Sequence, residues 1–243
     1  MEPVAQSFAH TYTSLLAWAL AWWADGGGWG LPEVRSQVAA LGPVTRWATA
    51  ASLALSLVAV GLVVIVRRRG DDVAGALVGA GRALLAVSAG WLVLASGWSL
   101  GGHVAGWIVG RSAGVGDYRR QVEEALSTAD PVVALTLSIV GIACCLGFIS
   151  VVLVRLVVAI LIAAGMPVIA AGSVLGARAL RTVTAWGVAV VAFEPLSAVV
   201  YRVGHALVLR AQEPVLVLLV AAVTSFLAAS MLPLTARIVG PGP

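Results

Sequence analysis

Apolar and polar residues fall in long blocks along this chain, and the apolar blocks have the length of membrane crossings. Residues 48–66 carry no charge, and about 20 apolar residues suffice for a helix to cross roughly 30 Å of hydrocarbon. A second block fills most of 83–109, where Gly97, Gly101 and Ala105 form a ladder of small residues. Small residues at that spacing let helix backbones approach closely in lipid, which favours packing inside the bundle over homodimer formation. A third block, 132–176, is interrupted by one charge, Arg155. It is too long for a single crossing at about 1.5 Å per residue. It predicts either two spans, 132–154 and 156–176, turning at Arg155, or one long tilted helix and a re-entrant segment broken at Gly165-Met166-Pro167. Further blocks are 183–201, continuing to Leu209, and 215–236, which contains Pro233.

The polar blocks are short. Residues 5–24 are aromatic-rich, with Phe8, Leu15, Leu16, Trp22 and Trp23 on or near one side of a helix. His10, Thr11, Thr13 and Ser14 interrupt that stretch, so it reads as an interfacial helix, with a marginal transmembrane helix as the alternative. Asp25 and the glycines after it end the helix, and 29–46 reads as a short amphipathic piece before a membrane boundary at Trp47. Residues 111–131 are the one soluble stretch of length inside the chain, expected as a solvated loop with a short surface helix. There Arg119 and Arg120 can meet Glu123 and Glu124 at helical spacing. The pattern therefore predicts an all-α fold: a polytopic transmembrane helix bundle of five or six spans with an N-terminal interfacial amphipathic helix. Its parts are an extracytoplasmic or interfacial segment, 1–46, and a transmembrane helical domain, 47–243.

Composition reinforces the membrane assignment. Sixty per cent of the 243 residues are hydrophobic, and only 11% are charged. A soluble domain has about 25% charged residues to cover its surface. All fifteen basic residues are arginine, a usage expected of a GC-rich bacterial genome. Only Arg67, Arg68 and Arg69 form a run, so sequence-specific nucleic-acid binding is not expected. That run directly follows the first span and belongs in the cytoplasm by the positive-inside rule, leaving the N-terminal segment extracytoplasmic. The MEPVAQ start lacks the basic region of a secretory signal peptide. Adjacent Cys144 and Cys145 are poorly placed to bridge each other and read as small packing residues. Arginine counting leaves the side of the C-terminus open.

Candidate chemistry concentrates in the second half. Proline removes a backbone donor and kinks a helix, so Glu194, just before Pro195, sits where backbone groups are already freed. Steps of seven and eleven residues from Glu194 reach Tyr201 and His205, within about 20° on an ideal helical wheel. Such a stripe can line a water-filled path or relay protons. Equally, Glu194 can pair with a buried arginine while Tyr201 and His205 lie at the membrane interface. A pair between Arg155 and Glu194 is the expectation, with Arg155 alternatively reaching the headgroups. Phosphate-binding loops, dinucleotide-binding glycine patterns, HExxH and metal-ligand clusters are absent from the sequence. Neither an enzyme nor a cofactor is expected.

Residues 155–205 resemble the core of the TrbL-type polytopic inner-membrane component of type IV secretion and conjugation systems. The matching features are Arg155 opening an apolar run, then Pro167 followed by the small residues Ala170, Ala171 and Gly172. A connector bearing Arg178, Arg181 and Trp186 follows, and then Glu194-Pro195-Leu196 leading to Tyr201. Members of that family commonly have lysine before this proline, so Glu194 departs from the pattern. The resemblance implies a channel-forming or scaffolding subunit working with other membrane subunits and secretion ATPases in the lipid bilayer, with a homo-oligomer left open. The rival reading is a stand-alone small transporter or channel with Glu194 and His205 as coupling residues.

Overall fold

The computed structural model describes residues 2–24, 31–67, 92–110, 115–172 and 178–239. Every regular element among them is a helix: α1 (Glu2–Ala24), α2 (Leu31–Arg67), α3 (Leu92–Val109), α4 (Val115–Thr128), α5 (Pro131–Gly172), α6 (Arg178–Arg210) and α7 (Pro214–Val239). Four of these, α3, α5, α6 and α7, are long and apolar enough to cross a membrane. The described chain is thus all-helical, with the character of a multi-pass membrane protein.

Local chemistry sets several helix ends. The Asp130 side chain accepts a hydrogen bond from the Val132 backbone N–H at 2.9 Å, and Pro131 follows as the first helical residue. An acidic cap and a proline whose missing N–H would be unsatisfied anyway make a strong start for α5. At the other end of α3, Gly110 has φ 70° and donates its N–H to the Gly106 carbonyl at 3.0 Å. That left-handed cap favours glycine, which has no Cβ to clash. Several hydroxyls inside the spans are satisfied locally, as Thr136, Ser150 and Thr235 each donate to the carbonyl four residues earlier. This back-bonding removes the need for water in an apolar medium.

Two elements are longer than the sequence pattern predicts. The 42 residues of α5 run unbroken through Arg155 and through Gly165-Met166-Pro167. At about 1.5 Å per residue that is about 63 Å of helix. Neither the hairpin at Arg155 nor the break before Pro167 occurs. Leu153-Val154-Arg155-Leu156-Val157 contains no glycine or proline, so nothing local ends the helix there. Arg155 is compensated by a partner helix instead of by a turn toward water. In α2, the amphipathic piece and the first expected span are one helix, continuous through Pro43 and across Trp47. The 46/47 division therefore falls inside α2. Arg68, Arg69, the glycine break after Asp25, the start of the 83–109 block and the GPGP terminus lie outside the described residues.

The chain divides into two compact units. The first takes α1, α3 from Leu100, α4, α5 to Arg155, α6 from Ala192 and α7 to Thr235. Its core holds Tyr12 and Leu16 of α1, Tyr118 and Val122 of α4, Cys145 of α5, Tyr201 and Val208 of α6, and Leu218 and Ala221 of α7. In the second unit, which takes α2 and the remaining parts of α3, α5, α6 and α7, Val34, Leu94, Trp98, Ala159, Ile162 and Ala189 are buried. There Gly97 sits against α6: a Cβ on it would lie 3.1 Å from a Val191 methyl carbon. In the first unit, Gly101 and Ala105 are buried. The small ladder of α3 thus packs within this chain.

Helix α1 buries a face offset from the expected one. Ala5, Tyr12, Thr13, Leu16 and Ala19 are buried, Leu15 is partly buried, and Phe8 is exposed. Ala5 and Ala9 lie near Pro131 and Ala134, the Tyr12 ring lies over Gly141, and Leu16 and Ala19 lie near Phe148. The two helices advance in step, so α1 runs beside the first half of α5. The polar residues of α1 are absorbed, since Thr11 donates to the Ser7 carbonyl and Thr13 to that of His10.

Candidate functional site

One face of α6 carries the site. Helical periodicity puts Phe193, Glu194, Ser197, Ala198, Tyr201, Gly204, His205 and Val208 on the buried side of the first unit. Pro195 lies within the helix without ending it. Its missing N–H leaves the Val191 carbonyl without its usual donor.

Glu194 and Arg155 are brought together. The Arg155 Nη1 donates to Glu194 Oε1 at 2.7 Å. The two residues are only 1% and 4% exposed, so the pair is fully inside. The Arg155 guanidinium carbon also lies 5.4 Å from the centroid of the Phe193 ring, itself stacked on Phe148. An aromatic face beside a guanidinium adds a cation–π attraction that is larger where water is excluded. Helix α3 leaves room for the carboxylate: a Cβ on Gly102 would stand 3.2 Å from Glu194 Oε2. Glu194 is close to the midpoint of α6, and Arg155 is near that of α5. The ion pair therefore joins the two long helices at mid-height.

Tyr201 and His205 do not join that pair. They are about 10 Å and 16 Å further along α6 at 1.5 Å per residue, and they meet α4 instead. The Tyr118 ring lies 5.5 Å from Tyr201 and is stacked 5.9 Å from His205, and Tyr201 and His205 are 6.1 Å apart. Rings at these separations gain from tilted and offset contacts beyond their burial. All three rings are buried. Tyr201 and His205 thus lie beneath α4, buried by its apolar side.

Helix α4 is the element whose role the sequence reading missed. Its charged side, with Arg119 Nε donating to Glu123 Oε1 at 2.7 Å, matches the expected surface helix. Its other side buries Tyr118, Val122, Ala125 and Leu126. The signal was the spacing of those residues at i, i+4, i+7 and i+8, an apolar stripe on an otherwise polar helix. Burial in that stripe pushes the Tyr118 phenol well above its ordinary value of 10, with the nearby Tyr201 adding to the rise.

Pro167 lies within α5 in the second unit, apart from this cluster in the chain's division. Among the described residues no group of three His, Cys, Asp or Glu side chains is arranged to hold a metal ion. The arrangement is one charged lock and one neutral aromatic cluster on the same helix face. Compared with protein-family models, curated proteins and solved structures, the chain has no significant match.

Proposed function

We propose that this protein is an integral membrane subunit of a conjugative type IV secretion-like translocation complex, forming or scaffolding the channel in a bacterial cytoplasmic membrane. The reading starts from the TrbL-type resemblance of 155–205 and is supported most by the Arg155–Glu194 pair. A carboxylate that couples transport must exchange protons or ions with water. Glu194 is instead buried on a guanidinium that joins α5 to α6 at mid-height. That suits a static strut between partner subunits driven by secretion ATPases, and it disfavours a transporter using Glu194 and His205 as coupling residues. The separation of those two residues along α6 points the same way.

The proposed topology has five crossings: 48–66, α3, α5, α6 and α7. With five crossings, Arg178, Arg181 and Arg237 fall on one side of the membrane. The positive-inside rule makes that side cytoplasmic. Helix α4, which follows α3 in the chain, then falls on the extracytoplasmic side. Purification of the intact protein from bacterial membranes in mild detergent tests the function. Co-purification of a secretion ATPase and other membrane subunits is expected. A homo-oligomer that conducts ions in liposomes without such partners would overturn the reading.

A further inference from the structure

Beneath α4 the first unit holds a small, partly open cavity of about 20 Å³. Tyr118, Tyr201, Thr224 and Ser225 line it, with apolar groups of α1, α5 and α7 completing the wall. One water needs roughly 10–15 Å³ of such space and two to four polar partners. The volume thus admits a water. The donors and acceptors also suit that occupant. Thr224 Oγ1 donates its proton to the Val220 carbonyl at 2.7 Å, and Ser225 Oγ donates to that of Ala221 at 3.1 Å. Tyr118 is also hydrogen-bonded to Thr224 and Cys145 to Ser225, which leaves each hydroxyl oxygen one lone pair for an incoming proton. The buried Tyr201 hydroxyl has no hydrogen-bond partner among the described residues. A buried phenol in that condition carries a desolvation penalty that a partner would remove.

We infer that this cavity is a binding site for a single structural water, which accepts from the Tyr201 hydroxyl and donates to the hydroxyl oxygens of Thr224 and Ser225. The site ties α6 to α7 directly under α4, adding to the hydrogen bond that Ser197 of α6 donates to the Ala228 carbonyl of α7 at 3.4 Å. No carboxylate lines it, so a bare cation would lose its hydration without a counter-charge. The ligand is neutral. This inference does not depend on the proposed translocation function.

The test compares thermal unfolding midpoints of the purified full chain in detergent for Ala228→Val, which fills the cavity, alone and in a Tyr201→Phe background. With a bound water, filling displaces it and strands the Tyr201 hydroxyl. The midpoint then falls clearly more in the parent than in Tyr201→Phe, where no hydroxyl is left behind. An equal shift in the two backgrounds overturns the inference. Replacing sodium and potassium with choline at constant ionic strength should leave the parent midpoint unchanged. A drop specific to loss of the small cations would assign the cavity to a cation and overturn the water.

Discussion

Glu194 and Tyr201 stand two turns apart on one face of α6, and the protein buries them by opposite means. Glu194 is charged, so its burial depends on one opposite charge from another helix, held at 2.7 Å. Tyr201 is neutral and is held by ring contacts with Tyr118 and His205 and by close packing against α7. A buried charge without its partner is a large and local penalty. A neutral aromatic cluster is spread over many weaker contacts, and its weak point is volume. The first region should break when charge is changed, and the second when size is changed.

The largest effect is expected from Glu194→Ala, which leaves the Arg155 guanidinium buried without its carboxylate. Removing one partner of a buried pair costs about 3–5 kcal/mol, so detergent unfolding should shift strongly and membrane protein levels should fall. Replacing both residues, as Arg155→Met with Glu194→Leu, should recover most of the loss. An exchange of the two charges that regains nothing would mean the pairing geometry is not what holds α5 to α6. In the neutral region, Gly204→Ala is the matching test. A Cβ there would collide with the Thr224 side chain, and one on Gly141 would collide with the Tyr12 ring. Thr224 is β-branched and stiff at χ1, so overpacking of about 1–3 kcal/mol is expected for Gly204→Ala. Unfolding midpoints that match the parent would show that the helices are not in close contact there.

Gly102→Ala probes the charged region by size and should cost about 1 kcal/mol, since the new methyl presses on Glu194 Oε2. The effect should vanish in a Glu194→Ala background, because the two positions are coupled through one contact. A pH titration probes the neutral region by charge. Burial raises the Tyr118 phenol, so below its ordinary value of about 10 the folded and unfolded chains bind the same proton. Above about pH 10 the unfolded chain releases that proton and the folded chain does not, so stability falls. Tyr118→Phe should reduce this alkaline component of the unfolding profile. The smallest effect belongs to Arg119→Ala. The Arg119–Glu123 pair is half exposed, and such pairs contribute at most about 0.5 kcal/mol. A larger loss would mean that α4 is held by its charged side rather than by its apolar stripe.

Much of this arrangement was legible in residue order. Arg155 and Glu194 announced each other because each is a lone charge in a long apolar block. The common face of Glu194, Tyr201 and His205 followed from helical spacing. What could not be read was that this stripe splits into two sites, since that depends on which neighbour stands at each height. Tyr118 was overlooked for the same reason: its helix looks solvated until a bundle exists to receive its four apolar residues. On α1, the aromatic residues drew attention to a face other than the one that Tyr12 and Ala19 bury.

By itself the sequence determined the medium and the element type. Long uncharged blocks can satisfy their backbone in lipid only as helices, and a buried arginine in such a block demands an opposite charge. Only the tertiary structure decided whether Arg155 ends a helix or passes through its middle. A turn and an interhelical pair are both answers to the same local sequence. The choice rests on whether Glu194 stands at the same height on the next helix, and that is set by packing across the bundle and not by any neighbour in the chain.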